Sequence, residues 1–336
     1  MNFQALSSYY SIMIFLSLLF AFLIEQVRPF VYNSRVIEQV AKSAQWVRLH
    51  LDAGLEKQAW AAWSAVALIP TLLVAVVYWF MIEWGSWLLG LLWSVAVLYV
   101  CLGFRQFSFH FTEIRDALES GKEEEAGALL AKWRNLEHND LKSSTLIRFL
   151  IEHSVVQAHR HVFGVLYWYC ILAVMGLGPA GAVLYRLCEI LVYVWTEQKD
   201  IVEGEEIVSS EPLLKLTRQI WFYIDWLPTR LTAISFAVVG NFEEAIDSWR
   251  FHLNRHEQNN DSVILATTAG ALNLELGVTP LKSDPFLDTD EPEVRDTPRG
   301  QAPQLAHLKT VVGLLWRSVV MWMLILALFS LSRLLN

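Results

Sequence analysis

The sequence predicts an all-α, polytopic integral membrane protein with a cytoplasmic helical insert. Three observations carry that fold class. Hydrophobic residues make up 54% of the 336-residue chain, which also holds 15 Trp; soluble domains sit near 45–50% apolar. Several apolar stretches reach the roughly 20 residues that a helix needs to cross the hydrocarbon. Between them, apolar residues recur at helical spacing.

The elements follow in chain order. Residues 1–24 carry no charged side chain. They lack a basic start and a small-residue cleavage site, so they read as an uncleaved N-terminal anchor. Residues 25–57 form a loop with five Lys/Arg. Residues 58–82 and 84–104 are free of charge and predict a transmembrane hairpin over 58–104, with Trp60, Trp63, Trp79, Trp84 and Trp87 at its ends as an aromatic belt. The loop over 105–161 holds eight Lys/Arg. The positive-inside rule then puts both basic loops in the cytoplasm and Glu83 outside. The formal charge of -8 says little about orientation, which follows Lys/Arg and not net charge. No basic surface suited to nucleic acid stands out.

The 105–161 insert reads as helices throughout. Phe107, Phe111, Ile114 and Leu118 share one stripe, Ser120–Gly121 breaks it, and Ala126, Leu129, Leu130, Trp133 and Leu136 form the next. Glu123, Glu124 and Glu125 suit that second helix start. A third helix carries Leu146, Ile147, Leu150 and Ile151, with Glu152 beside the stripe. Residues 162–276 are expected to form a membrane-embedded core. Its first stretch, 162–185, is interrupted by GLGPAG (176–181). Either it crosses fully and 220–241 crosses back, or GLGPAG makes a re-entrant turn. Residues 200–211 read as an acidic surface loop. Residues 277–306 hold five of the ten prolines and six acids, which predicts a disordered linker. Residues 307–336 hold the last apolar stretch, 313–331, where Arg317 can snorkel.

Candidate functional residues are ionisable groups inside apolar helices, which are costly and usually functional. IDWLPTRLTA (224–233) carries Asp225, Pro228 and Arg230. AVLYRLCEILVYVW (182–195) carries Arg186 and Glu189, three apart on one helix face. Arg186, Glu189, Asp225 and Arg230 are expected to converge, with Glu152 at the membrane boundary. Interfacial anchoring, or ion pairs locking helices together, is the structural alternative. Pro228 has no amide donor and would free carbonyls towards such a cluster. Arg230, with its planar fork, is the expected contact for a small anionic ligand. His252 and His256 have a metal-ligand spacing but read as a solvated face, and His159, Arg160 and His161 read as basic residues at a membrane boundary. Cys101, Cys170 and Cys188 form neither a disulfide framework nor a metal motif. No protein partner is legible.

Four motifs in order carry a family resemblance: IEHSVVQAHRHVFGVLYWY (151–169), GPAGAVLYRLCE (178–189), IDWLPTRLTA, and NNDSVILATTAGALNLELG (259–277). The chain resembles the CobD/CbiB family of cobalamin-biosynthesis membrane proteins, including the related AmpE proteins. The resemblance implies a multi-pass protein of the bacterial cytoplasmic (inner) membrane. For CobD/CbiB it implies adenosylcobinamide-phosphate synthesis, joining aminopropanol or its phosphate to adenosylcobyric acid with ATP and Mg²⁺. For AmpE it implies a membrane modulator associated with β-lactamase induction and cell-wall signalling.

The chain departs from the synthase pattern. Only Ile151 and Glu152 survive of the first motif, and Val156, Gln157 and Arg160 stand at its acid, amide and aspartate positions. Trp221 and Phe222 replace paired acids ahead of IDWLPTRLTA, and Asp225 stands where the family has an amide. The expectation is therefore an AmpE-like modulator without the full catalytic set, with the synthase as the alternative. No catalytic residue or metal ligand is assigned.

Overall fold

The computed structural model describes residues 3–27, 35–134, 143–197, 200–202, 205–207, 209–253, 259–277 and 300–335. These residues are helical almost throughout. In order they form α1 (Phe3–Val27), α2 (Arg35–Leu51), α3 (Glu56–Trp63), α4 (Ile69–Phe80), α5 (Trp87–Cys101), α6 (Phe104–Glu119), α7 (Glu123–Arg134) and α8 (Ser143–Ala158). Next come α9 (Gly164–Val174), α10 (Ala180–Glu197), α11 (Glu211–Val239), α12 (Phe242–Leu253), α13 (Asn260–Leu272) and α14 (Leu305–Leu335). The stretch expected as an acidic loop instead contains a short antiparallel hairpin, β1 (Asp200–Val202) with β2 (Glu205–Ile207), paired Asp200 to Ile207.

Two compact units divide the chain. The first comprises Met1–Gly103, Gly164–Asp225 and Met323–Asn336; the second comprises Phe104–Phe163 and Trp226–Trp322.

In the first unit, Glu56–Gly85 is a continuous apolar helical rod of 30 residues. At 1.5 Å per residue it reaches about 45 Å, enough to cross a bilayer with tilt. Ile69, Leu72, Leu73, Val76, Trp79 and Phe80 are all exposed along it, an apolar stripe at i, i+3, i+4, i+7 spacing that water would not favour. Leu305–Arg333 is the second helix long and apolar enough to cross, while Ser11–Val27 and Trp87–Cys101 are shorter apolar helices. Two of the five apolar stretches thus form spanning-length helices among the described residues.

The 162–185 stretch is not one rod. Helix α9 ends at Val174, Gly176 and Gly178 take positive φ (81° and 57°), and α10 runs back along α9. The pairing is antiparallel, because a Cβ on Gly164 would meet the Tyr185 ring and one on Gly181 would meet the Trp168 carbonyl. Both glycines permit this close approach.

In the second unit α6 and α7 form the expected helical pair, turning at Gly121 (φ 74°). Phe111, Ile114, Leu118, Ala126, Leu130, Leu146, Ile147, Leu150 and Ile151 are all buried, as the helical stripes require. Phe107 and Leu136 lie outside the described side chains. Helix α13 is buried on every side from Asn260 to Ala271. It packs against α12, where a Cβ on Gly270 would come within 2.2 Å of the Glu244 carbonyl oxygen. Of the expected linker, residues 278–299 lie outside the described residues. Its far end is tied back to α13: the Glu275 amide donates to the Gln301 carbonyl and the Gln301 amide to Asn273.

Candidate functional site

Several of the polar residues that the second unit buries gather at the start of α13. Asn259 caps the helix, its side chain accepting from the Asp261 amide at 3.2 Å. The next three residues each take a partner from a different element. Asn260 Oδ1 accepts from Arg230 Nη1 of α11 at 2.7 Å. Asp261 forms a buried ion pair with Arg160. Ser262 Oγ lies 2.8 Å from His252 Nε2 of α12. A helix buried all round must satisfy its polar side chains inside the protein, and these three contacts do so.

Arg160 lies in a wide π turn, His159–Phe163, inserted between α8 and α9. Such turns add a residue to the helical register and often occur at functional sites. Here the turn aims two consecutive side chains inward. His159, fully buried, lies 2.9 Å from Thr232 Oγ1 through Nδ1 and 3.5 Å from Thr229 Oγ1 through Nε2. His159, Arg160 and His161 are all buried. Helical neighbours point apart, but here both directions lead into packed protein.

His252 is corrected. It is 2% exposed, not on a solvated face, because Ser262 gives its ring an internal partner. His256 lies outside the described residues. Among the described residues, no three His, Cys, Asp or Glu side chains group as a metal site would need.

The remaining sequence candidates have their own partners. Glu152 Oε1 accepts from the Gly277 amide at 2.6 Å and faces Arg148 at 3.6 Å. Arg186 and Glu189 are brought together as a buried i,i+3 ion pair in α10. Asp225, fully buried, accepts a 2.7 Å hydrogen bond from the Tyr185 hydroxyl. Arg230 stacks its guanidinium 4.4 Å from the Trp226 ring centre and donates to the Trp226 carbonyl at 3.1 Å. Pro228 sits inside an unbroken α11. It cannot donate to Ile224, four residues earlier, and that carbonyl instead accepts from the Trp168 indole at 2.9 Å. Its freed carbonyl therefore goes to an aromatic N–H, not to the charged residues.

Asn260, Asp261, Ser262, Thr229 and Thr232 are not singled out from the sequence, where His159 reads as a boundary residue. A signal was present: Asn-Asn-Asp-Ser opens an otherwise apolar helix, and Asp225, Thr229, Thr232 recur at helical spacing. Polar residues with a core-facing period need internal partners.

The chain is 27% identical over 247 residues to the cobalamin biosynthesis protein CobD of Stutzerimonas stutzeri, covering 72% of this chain and 76% of the relative. It is 27% identical over 192 residues to CobD of Chromobacterium violaceum, covering 56% and 57%. For CobD of Leptospira interrogans the figures are 26% over 198 residues, 57% and 58%. No family model and no solved structure matches the chain.

Proposed function

We propose, for a chain whose curated relatives support the CobD/CbiB family, a multi-pass inner-membrane protein that acts as an AmpE-like signalling modulator. The observation that carries this reading is the engagement of four of its buried acids. Asp261 is paired with Arg160 and Glu189 with Arg186. Asp225 accepts from Tyr185, and Glu152 from a backbone amide. An ATP-dependent ligase must hold a metal–nucleotide complex and stabilise phosphoryl transfer, and Mg²⁺ takes carboxylate oxygens beside the phosphates. Acids engaged by arginine, tyrosine and amide partners offer fewer free oxygens for that task, and the reading runs through neither ATP nor Mg²⁺.

What the arrangement can do is bind. Arg230 is half-buried, over the Trp226 ring and beside Asn260. Its fork matches a carboxylate or phosphate, and a small anion there would contact α11 and the start of α13 together. In the second reading the protein is the adenosylcobinamide-phosphate synthase. The names of the curated relatives, all cobalamin biosynthesis proteins, favour it.

Expression in a cobalamin-requiring host without its own synthase separates the two. The expected outcome is no growth on adenosylcobyric acid, with the protein verified in the membrane. Growth that is lost in Glu152→Ala or Asp225→Ala would establish the synthase.

A further inference from the structure

Helix α2 has two different surfaces. Ala44, Val47 and Arg48 are buried on one side, where the Ala44 carbonyl accepts from the Trp195 indole of α10 at 3.0 Å. The other side changes character along its length. Its N-terminal half exposes Glu38, Gln39, Lys42 and Ser43, with Val36 as its one exposed large apolar side chain, and Lys42 bonded to Glu38 at 2.6 Å. Its C-terminal half exposes Trp46 (58%) and Leu49 (42%). The Trp46 ring stacks on His50 with centroids 4.4 Å apart. Beyond α2 the chain continues at once into the apolar rod Glu56–Gly85, and Leu55 (61%) and Trp60 (52%) are exposed there as well.

We propose that the C-terminal half of α2 is a membrane-surface anchor, with Trp46, Leu49, Leu55 and Trp60 seated in the headgroup layer of the bilayer that the following rod crosses. The inference rests on the membrane reading of that rod. The occupant is argued from position and chemistry. The larger exposed apolar side chains, Trp46, Leu49 and Leu51 (40%), lie at the end of α2 next to the rod, while the far end is polar apart from Val36 (47%), as a helix descending onto a membrane would have them. Indole and imidazole rings combine an apolar body with a polar edge, which favours this layer. Interfacial helices bury their apolar side about 5–10 Å into the headgroup boundary. The bond from Trp195 fixes α2 on α10, so Trp46 is presented rigidly and not as part of a free arm.

The test is electron paramagnetic resonance on the full chain in vesicles of phosphatidylcholine and phosphatidylglycerol. A genetically encoded nitroxide side chain replaces Trp46, Leu49, Ser43 or Leu72 one at a time. Collision with oxygen, which concentrates in lipid, is compared with collision with a water-soluble nickel chelate. The expected result is a lipid-type ratio at 46 and 49, a water-type ratio at 43, and the strongest lipid ratio at 72. A water-type ratio at 46 with a lipid-type ratio at 72 would overturn the anchor while leaving the rod in the membrane. A water-type ratio at 72 would overturn both. Dipolar broadening at 46 would show a second copy of the chain on this surface and overturn the lipid assignment.

Discussion

At the scale of single residues, the Arg160–Asp261 pair is the clearest target. Both side chains are almost fully buried. Removing one partner leaves an uncompensated buried charge, which costs about 3–5 kcal/mol, while replacing both by apolar groups of similar size is often neutral or better. Asp261→Leu alone should lower the thermal midpoint in detergent sharply, and Arg160→Met in the same chain should restore much of it. Equal loss in the single and double variants would show that the pair does not act as a unit. Trp168 offers a second target. Trp168→Phe strips the half-buried Ile224 carbonyl of its indole donor, a loss of about 0.5–1.5 kcal/mol. Pro228→Ala returns a backbone N–H to the same carbonyl. Trp168→Phe should therefore cost less in the Pro228→Ala background, and a double-mutant cycle by thermal unfolding measures the difference. Strict additivity would refute the exchange of donors.

At the scale of elements, glycines separate close packing from open surface. Gly181 of α10 faces the Trp168 carbonyl, and an added Cβ would lie 1.9 Å from that oxygen. Backbone cannot swing aside as a flexible side chain can. Gly181→Ala should destabilise by about 1–3 kcal/mol through overpacking. Gly313 of α14 would have nothing within 4 Å of the same atom. Gly313→Ala should instead gain up to about 1 kcal/mol of helix propensity. Opposite shifts in thermal midpoint are expected, and shifts of the same sign would contradict the packing described for α9 and α10. The same contrast explains GLGPAG: its glycines are there for backbone geometry and contact, whatever the membrane path around them.

At the scale of the whole molecule, the distribution of Lys/Arg predicts an orientation that can be measured. Five Lys/Arg over 25–57 and eight over 105–161 predict a cytoplasmic reporter signal near Lys122 and an external one near Glu83. The reverse pattern would sink the orientation, and identical signals would put both points on one side.

Helix content, the break at Ser120–Gly121 and the long apolar rods were legible in the sequence, because each rests on local periodicity or composition, and the family resemblance was legible in four motifs in order. So was the Arg186–Glu189 pair, which one helix turn brings together. Partnerships across elements were not: Asn260 with Arg230, Asp261 with Arg160, Asp225 with Tyr185 and Ile224 with Trp168. These are separated by 30, 101, 40 and 56 residues. Periodicity states which face of a helix must be buried, but not which other helix covers it. His159, Arg160, His161 and His252 show the consequence: their charge suggested a boundary or a wet surface, and only the packing of helices around α13 decided that they are buried. Hydrophobicity and helical repeat belong to the chain itself, whereas the choice of polar partners belongs to the tertiary structure, since a buried polar group takes whichever donor or acceptor the fold carries to it.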